Sequence, residues 1–130
     1  MDLPGNQAEL VRQISACNPK TIVVVNSGSP ITMDWVDEAD AVLVSWFGGQ
    51  GMSDALVDVL LGNSEPSGRL PTTFPKRLED TPAFTSYPGE NSQVLYAEGV
   101  FVGYRWYDTR EIEVASVSYT HLTLPTIYSV

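Results

Sequence analysis

The chain has 130 residues, 43% hydrophobic and 18% charged, a balance that fits one folded domain and excludes an intrinsically disordered protein. Its net charge of −9 disfavours nucleic acid and anionic membrane surfaces as partners, because phosphate binding needs a basic face. One cysteine excludes an internal disulfide and no apolar run reaches the length of a membrane span. Met1-Asp-Leu-Pro-Gly5 lacks the basic and then apolar regions of a secretory leader, and no compartment (periplasmic, secreted or cytoplasmic) is assigned.

In chain order, Asn6 to Ala16 is predicted to be a helix, with Asn6 as its cap and Glu9 at the capping-box position. Leu10, Val11, Ile14 and Cys17 fall on one face, so Cys17 is expected to be a small buried apolar residue rather than a nucleophile. Asn18-Pro19 breaks the helix. The β-branched run Thr21 to Val25 predicts a central strand covered on both faces, as in a parallel sheet. Met33 to Glu38 predicts a short helical or turn segment, and Ala41 to Ser45 a second buried strand. That strand runs into the glycine-rich loop Trp46-Phe-Gly-Gly-Gln-Gly51.

Ser53 is expected to cap a helix ending at Leu61, with Ala55, Leu56, Val59 and Leu60 inward, Asp54 and Asp58 outward, and Gly62 at the C-terminal cap. The alternation of helices and strands gives the fold class: α/β, a mostly parallel sheet flanked by helices, an α/β sandwich in incomplete form. From Asn63 to Pro88 five prolines predict an ordered surface loop, with Leu70 to Phe74 as a short edge strand. Val94 to Tyr107 is expected to be partly extended.

Ala115 to Val130 carries no Asp, Glu, Lys or Arg. Ser116 to Thr126 back-translates to a string that resembles the transposon-end adapter of sequencing libraries. Residues 1–114 are therefore taken as the native part and 115–130 as a non-native tail; a genuine strand and turn is the other reading. His121, the lone histidine, falls in that tail and is set aside for catalysis.

The stretch Tyr96-Ala-Glu-Gly-Val-Phe-Val-Gly-Tyr-Arg-Trp-Tyr-Asp108 carries the most chemistry. Aromatic planes beside a few charged groups suit a pyranose, which has an apolar face and a rim of hydroxyls. Glu98 among Tyr96, Phe101 and Tyr104 could accept a sugar hydroxyl. The competing reading is a Glu98–Arg105 ion pair that holds the segment against the sheet. Trp46, before a loop at the C-terminal end of a strand, is the best stacking platform of the three tryptophans, although burial is the commoner role for Trp35, Trp46 and Trp106 alike. Arg69 and Arg105 are read first as structural anchors. Trp46, Glu98, Tyr104 and Arg105 are the candidate substrate contacts.

Asp37, Glu38 and Asp40 read as a solvated acidic face, and Glu79-Asp80 as surface charge. Gly48 to Gly51 lacks both the dinucleotide and the P-loop patterns, and no Cys/His/Asp set has metal-ligand spacing, so neither cofactor nor metal is expected.

Four segments, in order over about residues 2–113, resemble glycoside hydrolase family 3, the β-glucosidase type. Leu3-Pro-Gly-Asn-Gln7 is similar to the family's LPxxQ, and Thr21 to Gly28 to its strand and loop, followed by Pro30 and Trp35. Trp46 to Pro75 is similar to GQxxGxAxxDVLxGxxxPSGRLPxTFP, and Tyr96 to Asp108 to YxEGxxVGYRxYD. Gly51 departs from the Glu that many relatives carry there.

The resemblance implies a C-terminal α/β sandwich domain facing an N-terminal barrel domain of the same polypeptide. It also implies retaining cleavage of terminal β-linked glucose, or a related sugar, by an Asp nucleophile and a Glu acid/base. Both carboxylates are expected upstream of Met1, so no catalytic residue is assigned within the chain, and the isolated chain is expected to be inactive. The alternative is a free-standing, non-catalytic sugar- or nucleotide-binding α/β module.

Overall fold

The structure, a computed structural model, describes residues 1–116 and, as strand backbone, 127–129. The expectation of a non-native tail lies for the most part outside these residues, as does His121. The elements run α1 (Gln7–Cys17), β1 (Ile22–Val25), β2 (Ala41–Val44), α2 (Met52–Leu60), β3 (Phe74–Pro75), α3 (Tyr104–Arg110), β4 (Val114–Ser116) and β5 (Ile127–Ser129). β1, β2 and β5 form a parallel sheet in that order, with Ile22 opposite Ala41 and Val25 opposite Val44. β3 and β4 form a separate antiparallel pair.

The core lies on one face of the parallel sheet. Strand side chains alternate, and Val25, Val42 and Val44 join Ile31, Met33, Trp35, Val36 and Ala39 of the β1–β2 crossover, with Leu70 and Phe74 beyond them. Trp35 and Phe74 are the largest side chains removed from water. Burying each contributes about 1.5–3 kcal/mol, so the crossover holds the sheet as firmly as the strands do. α1 leans on the same cluster through Ala8 and Val11. Its Arg12 donates to Asp34 at 2.7 Å and to Glu38 at 3.2 Å, tying helix to crossover.

α1 faces the core with Ala8 and Val11, and two expectations fail. Leu10 and Ile14 are exposed, and so is Cys17, which was expected to be buried. Asn6 makes no side-chain cap bond; the first turn is closed by backbone alone, Gln7 N–H to the Pro4 carbonyl and Leu10 N–H to that of Asn6.

β1 is a further correction. It was expected to be central and covered on both faces, but it lies at the sheet edge with Ile22 51% and Val24 39% exposed. Helix α2 begins at Met52 rather than at a Ser53 cap, because a 3₁₀ turn over Gly49–Gly51 feeds straight into it. Ala55, Leu56 and Val59 are half-buried, while Leu60, expected to point inward, is exposed. The Val94–Tyr107 segment is not extended at its C-terminal end: turns around residues 97–100 lead to Gly103 at φ 64°, and the chain then coils into α3.

Gly62, at φ 76°, follows Leu61, the C-cap of α2, and donates to the Val59 carbonyl, as a C-terminal glycine should. Gly51 is different: its φ is −92° and no atom lies within 4 Å of where a Cβ would sit. The glycine that departs from the family pattern is thus not demanded by geometry. Gly51→Glu should stabilise the chain by about 0.5–1 kcal/mol, from reduced unfolded-state entropy and an acid at a helix N-terminus. Gly62→Ala should cost about 1 kcal/mol. Urea midpoints of the two variants would show opposite shifts; equal shifts would refute this account of the turn.

Candidate functional site

The aromatic and acidic segment of residues 96–108 is anchored from beneath and open above. Its anchor is α3. Trp106 donates its indole N–H to the Asp80 carbonyl at 3.0 Å, and Arg110 stacks on the Trp106 ring at 3.7 Å. Tyr107 is buried. Asp80, expected to be surface charge, is buried and grips Arg77 in a bidentate pair at 3.1 and 2.8 Å. The reason is local: Leu78–Asp80 forms a 3₁₀ turn that directs the Asp80 side chain back onto Arg77 and its carbonyl toward α3. Sequence reading missed Asp80 because Glu-Asp in a proline-rich stretch looks the same whether solvated or buried.

Above this anchor the segment faces water. Tyr96 is 88% exposed, with Val94, Leu95, Val100, Phe101 and Val102 exposed around it. Glu98 is half-buried, and its backbone carbonyl accepts from Phe101 N–H in a tight turn. Tyr104 is half-buried and Arg105 exposed. The Glu98–Arg105 ion pair is not formed. Arg105 instead donates to the Val100 carbonyl at 3.5 Å and lies 5.8 Å from the Tyr104 ring centre. Arg105, in the first turn of α3, thus turns back to the carbonyl of the loop that precedes the helix. Val100, Phe101, Arg105, Asp108 and Thr109 line a shallow groove of about 390 Å³.

Trp46 stands elsewhere, just past β2. It is half-buried, has φ 50°, and its ring meets that of Phe74 at 5.8 Å, tilted by 47°. It packs against the core cluster, so one face of the indole is taken by packing. Trp35 is 1% exposed, a core residue whose indole N–H has no acceptor among the described residues. Arg69 bonds the carbonyls of its own turn, Ser67 and Gly68, as an anchor would.

Five other acids form ion pairs: Glu9, Asp34 and Glu38 around Arg12, and Asp37 and Glu113 around Lys76. No group of three His, Cys, Asp or Glu among the described residues could hold a metal. No helix among them is long and apolar enough to cross a membrane. Chemically the arrangement offers aromatic surface, one half-buried carboxylate and one guanidinium, which suits contact with a hydroxylated ring or an apolar surface.

Comparison with known proteins gives concordant results. Residues 1–104 match the glycosyl hydrolase family 3 C-terminal domain. A β-glucosidase of Rhizobium radiobacter is 52% identical over 117 residues, which are 87% of this chain and 14% of that protein. A probable β-glucosidase J of Aspergillus fumigatus is 47% identical over 84% of the chain and 13% of the relative. Among solved structures, the Kluyveromyces marxianus β-glucosidase in complex with glucose superposes with a TM-score of 0.84 at 40% identity, covering 93% of this chain and 15% of that one. DesR, a β-glucosidase from Streptomyces venezuelae solved with D-glucose, gives 0.79 at 38%, covering 94% and 17%. The chain thus spans about one seventh of the curated relatives it matches.

The anchor carries a pH signature. Burial, and secondarily the Asp80 charge, push the Tyr107 phenol above its ordinary value. A raised folded pKa means stability is fully present below about pH 10 and is lost as pH climbs from there through the folded value. Tyr107→Phe should therefore flatten the alkaline limb of stability while changing the neutral-pH midpoint little. Urea titrations from neutral pH to pH 11 would show it; parallel losses in both proteins would refute it.

Proposed function

Because the chain belongs to the glycosyl hydrolase family 3 C-terminal domains, we propose that it serves as the cleft-closing part of a β-glucosidase. In the longer protein the reaction is retaining hydrolysis of a terminal β-linked glucose or related sugar through a covalent glycosyl-enzyme. An Asp nucleophile and a Glu acid/base come from polypeptide N-terminal to residue 1, the nucleophile from a barrel domain. The family match over residues 1–104, together with relatives named as β-glucosidases, carries this reading.

The geometry adds the division of labour. α3 and the Asp80 turn hold residues 96–105 in place, and the exposed residues Val94 to Val102 face outward, toward substrate and the barrel domain. Among the described residues the Glu98 carboxylate is in no ion pair, and it is the hydroxyl acceptor in this reading. Tyr104 and Arg105 flank the same turn. Trp46, just past β2, is the stacking candidate among the tryptophans.

In the longer enzyme, Glu98→Gln should raise KM for an aryl β-glucoside by about tenfold with kcat changed less, the size expected for one charged hydrogen bond. Unchanged KM would remove Glu98 from the site. The 130-residue chain alone should release no aglycone above the buffer rate. Turnover by the purified chain would overturn the placement of both catalytic carboxylates upstream.

A further inference from the structure

The chain has five asparagines, and three of them precede serine: Asn26, Asn63 and Asn91. Asparagine is thermolabile. It loses its amide when the backbone nitrogen of the next residue reaches its side-chain carbonyl carbon, and a small following side chain leaves that approach open. The structure sorts the five positions by whether the nitrogen and the carboxamide are engaged. Asn18 precedes Pro19, which has no N–H. After Asn6, Gln7 N–H is bonded to the Pro4 carbonyl at 3.4 Å as α1 begins. Asn63 has both groups engaged: its carboxamide donates to the Asp58 carboxylate at 3.2 Å, and Ser64 N–H donates to the Asp58 carbonyl at 3.2 Å. Asn26 lies in a held loop. The Ser27 hydroxyl donates to the Ser29 carbonyl at 2.6 Å, and the Phe47 ring lies over Gly28, where a Cβ would meet it at 2.3 Å.

Asn91 differs from the other four. Glu90 and Gln93 exchange backbone hydrogen bonds at 3.0 and 2.9 Å, closing a two-residue turn on Asn91 and Ser92. Both central residues have positive φ, 50° and 60°, as a type I′ turn demands. Asparagine adopts that conformation readily, and Ser92 stands where such a turn favours glycine. The N–H groups of the two central residues lie outside the bonded pair. Both residues are exposed, and neither the Asn91 carboxamide nor Ser92 N–H has a hydrogen bond among the described residues. The nucleophile and the carbon it attacks are adjacent, solvated and unengaged.

We infer that Asn91 is a site of spontaneous deamidation and isomerisation, and that it converts before the other four asparagines. The Ser92 nitrogen gives its proton to solvent and bonds to Asn91 Cγ. The Cγ–Nδ2 bond breaks and the amide nitrogen leaves as ammonia, giving a five-membered succinimide. Water then adds to either imide carbonyl and opens the ring to aspartate or isoaspartate at position 91; nothing is oxidised or reduced. Either product adds a carboxylate beside Glu90 in a chain of net charge −9. Isoaspartate also lengthens the turn backbone by one methylene, which breaks the register of the Glu90–Gln93 pair. The turn lines a pocket of about 460 Å³ together with Thr85, Ser86 and Tyr87. Val94, where the exposed apolar stretch begins, follows it directly. The inference rests on this turn and stands apart from the glycosidase reading.

Ageing the 130-residue chain at mildly alkaline pH, with each asparagine followed by peptide mapping and mass spectrometry, tests it. Asn91 should convert at least about tenfold faster than Asn26 and Asn63, the factor set by the hydrogen bonds and loop contacts those sites must first break. Isoaspartate should be among the products at position 91, as opening of the imide requires. In urea the three Asn-Ser sites should convert at similar rates. Ser92→Gly, which suits the positive φ, should speed conversion at position 91 by clearing the approach to the backbone nitrogen. Equal rates at the three sites in buffer, Asn26 or Asn63 ahead of Asn91, aspartate as the sole product, or a Ser92→Gly rate no higher than the parent's would each overturn the inference. The same ranking kept in urea would assign it to neighbouring residues rather than to the turn, which also overturns it.

Discussion

Everything in this chain hangs on one buried valine face. Val25, Val42 and Val44 present an apolar surface, and α1, the β1–β2 crossover and β3 find their places by covering it. The crossover covers it first, because Trp35 and Met33 arrive only a few residues after β1 and have nowhere else to go dry. α1 covers what is left through Ala8 and Val11, and Arg12 pairs with the crossover's acids. Exposed ion pairs contribute little energy, about 0–1 kcal/mol each. They add to an orientation in which Ala8 and Val11 face the core cluster.

Phe74 joins that core to the second half of the chain. It lies under Trp46, pairs through β3 with β4, and its neighbour Pro75 accepts from Met33 N–H. From there the proline-rich stretch runs to Asp80, whose two ends do separate jobs. The carboxylate is neutralised by Arg77, and the carbonyl is given to Trp106. A buried carboxylate without Arg77 would be costly. With it, the turn becomes a fixed point against which a helix of only seven residues can dock. Short helices are marginal alone, so α3 depends on this docking more than on its own sequence.

How much of this was legible in the sequence depends on the range of the interaction. The alternation of elements, the strand at Ala41–Val44, the glycine after α2 and the turn before β2 follow from local patterning, and the structure has them. The four quoted motifs led to the family. What local patterning missed was set by partners distant in sequence. Cys17 lies on an apolar stripe whose cover is not among the described residues; Asp80 is buried by residues about 26 positions away. Glu98 and Arg105 have opposite charges at a plausible spacing, yet the turn between them directs Arg105 to the Val100 carbonyl. β1 reads as a central strand because its sequence is that of one; its position at an edge is a fact about which strands accompany it, which no residue within β1 encodes.

The same division by range runs through residues 96–108. A segment that serves one master shows one pattern, and this one shows two. Trp106 and Tyr107 turn inward onto the Asp80 turn, a helix-like demand. Tyr96 and Val100 to Val102 turn outward in a loop, where large apolar side chains lose free energy to water unless something covers them. Half the segment therefore satisfies the chain's own fold and half can be satisfied only by a second surface. Such a division places Glu98, Tyr104 and Arg105 at a boundary: close enough to the anchor to be held in position, close enough to the open side to meet whatever the second surface brings. Among the described residues, the Asp80 turn and α3 thus form a rigid base under an uncovered face, built from few residues.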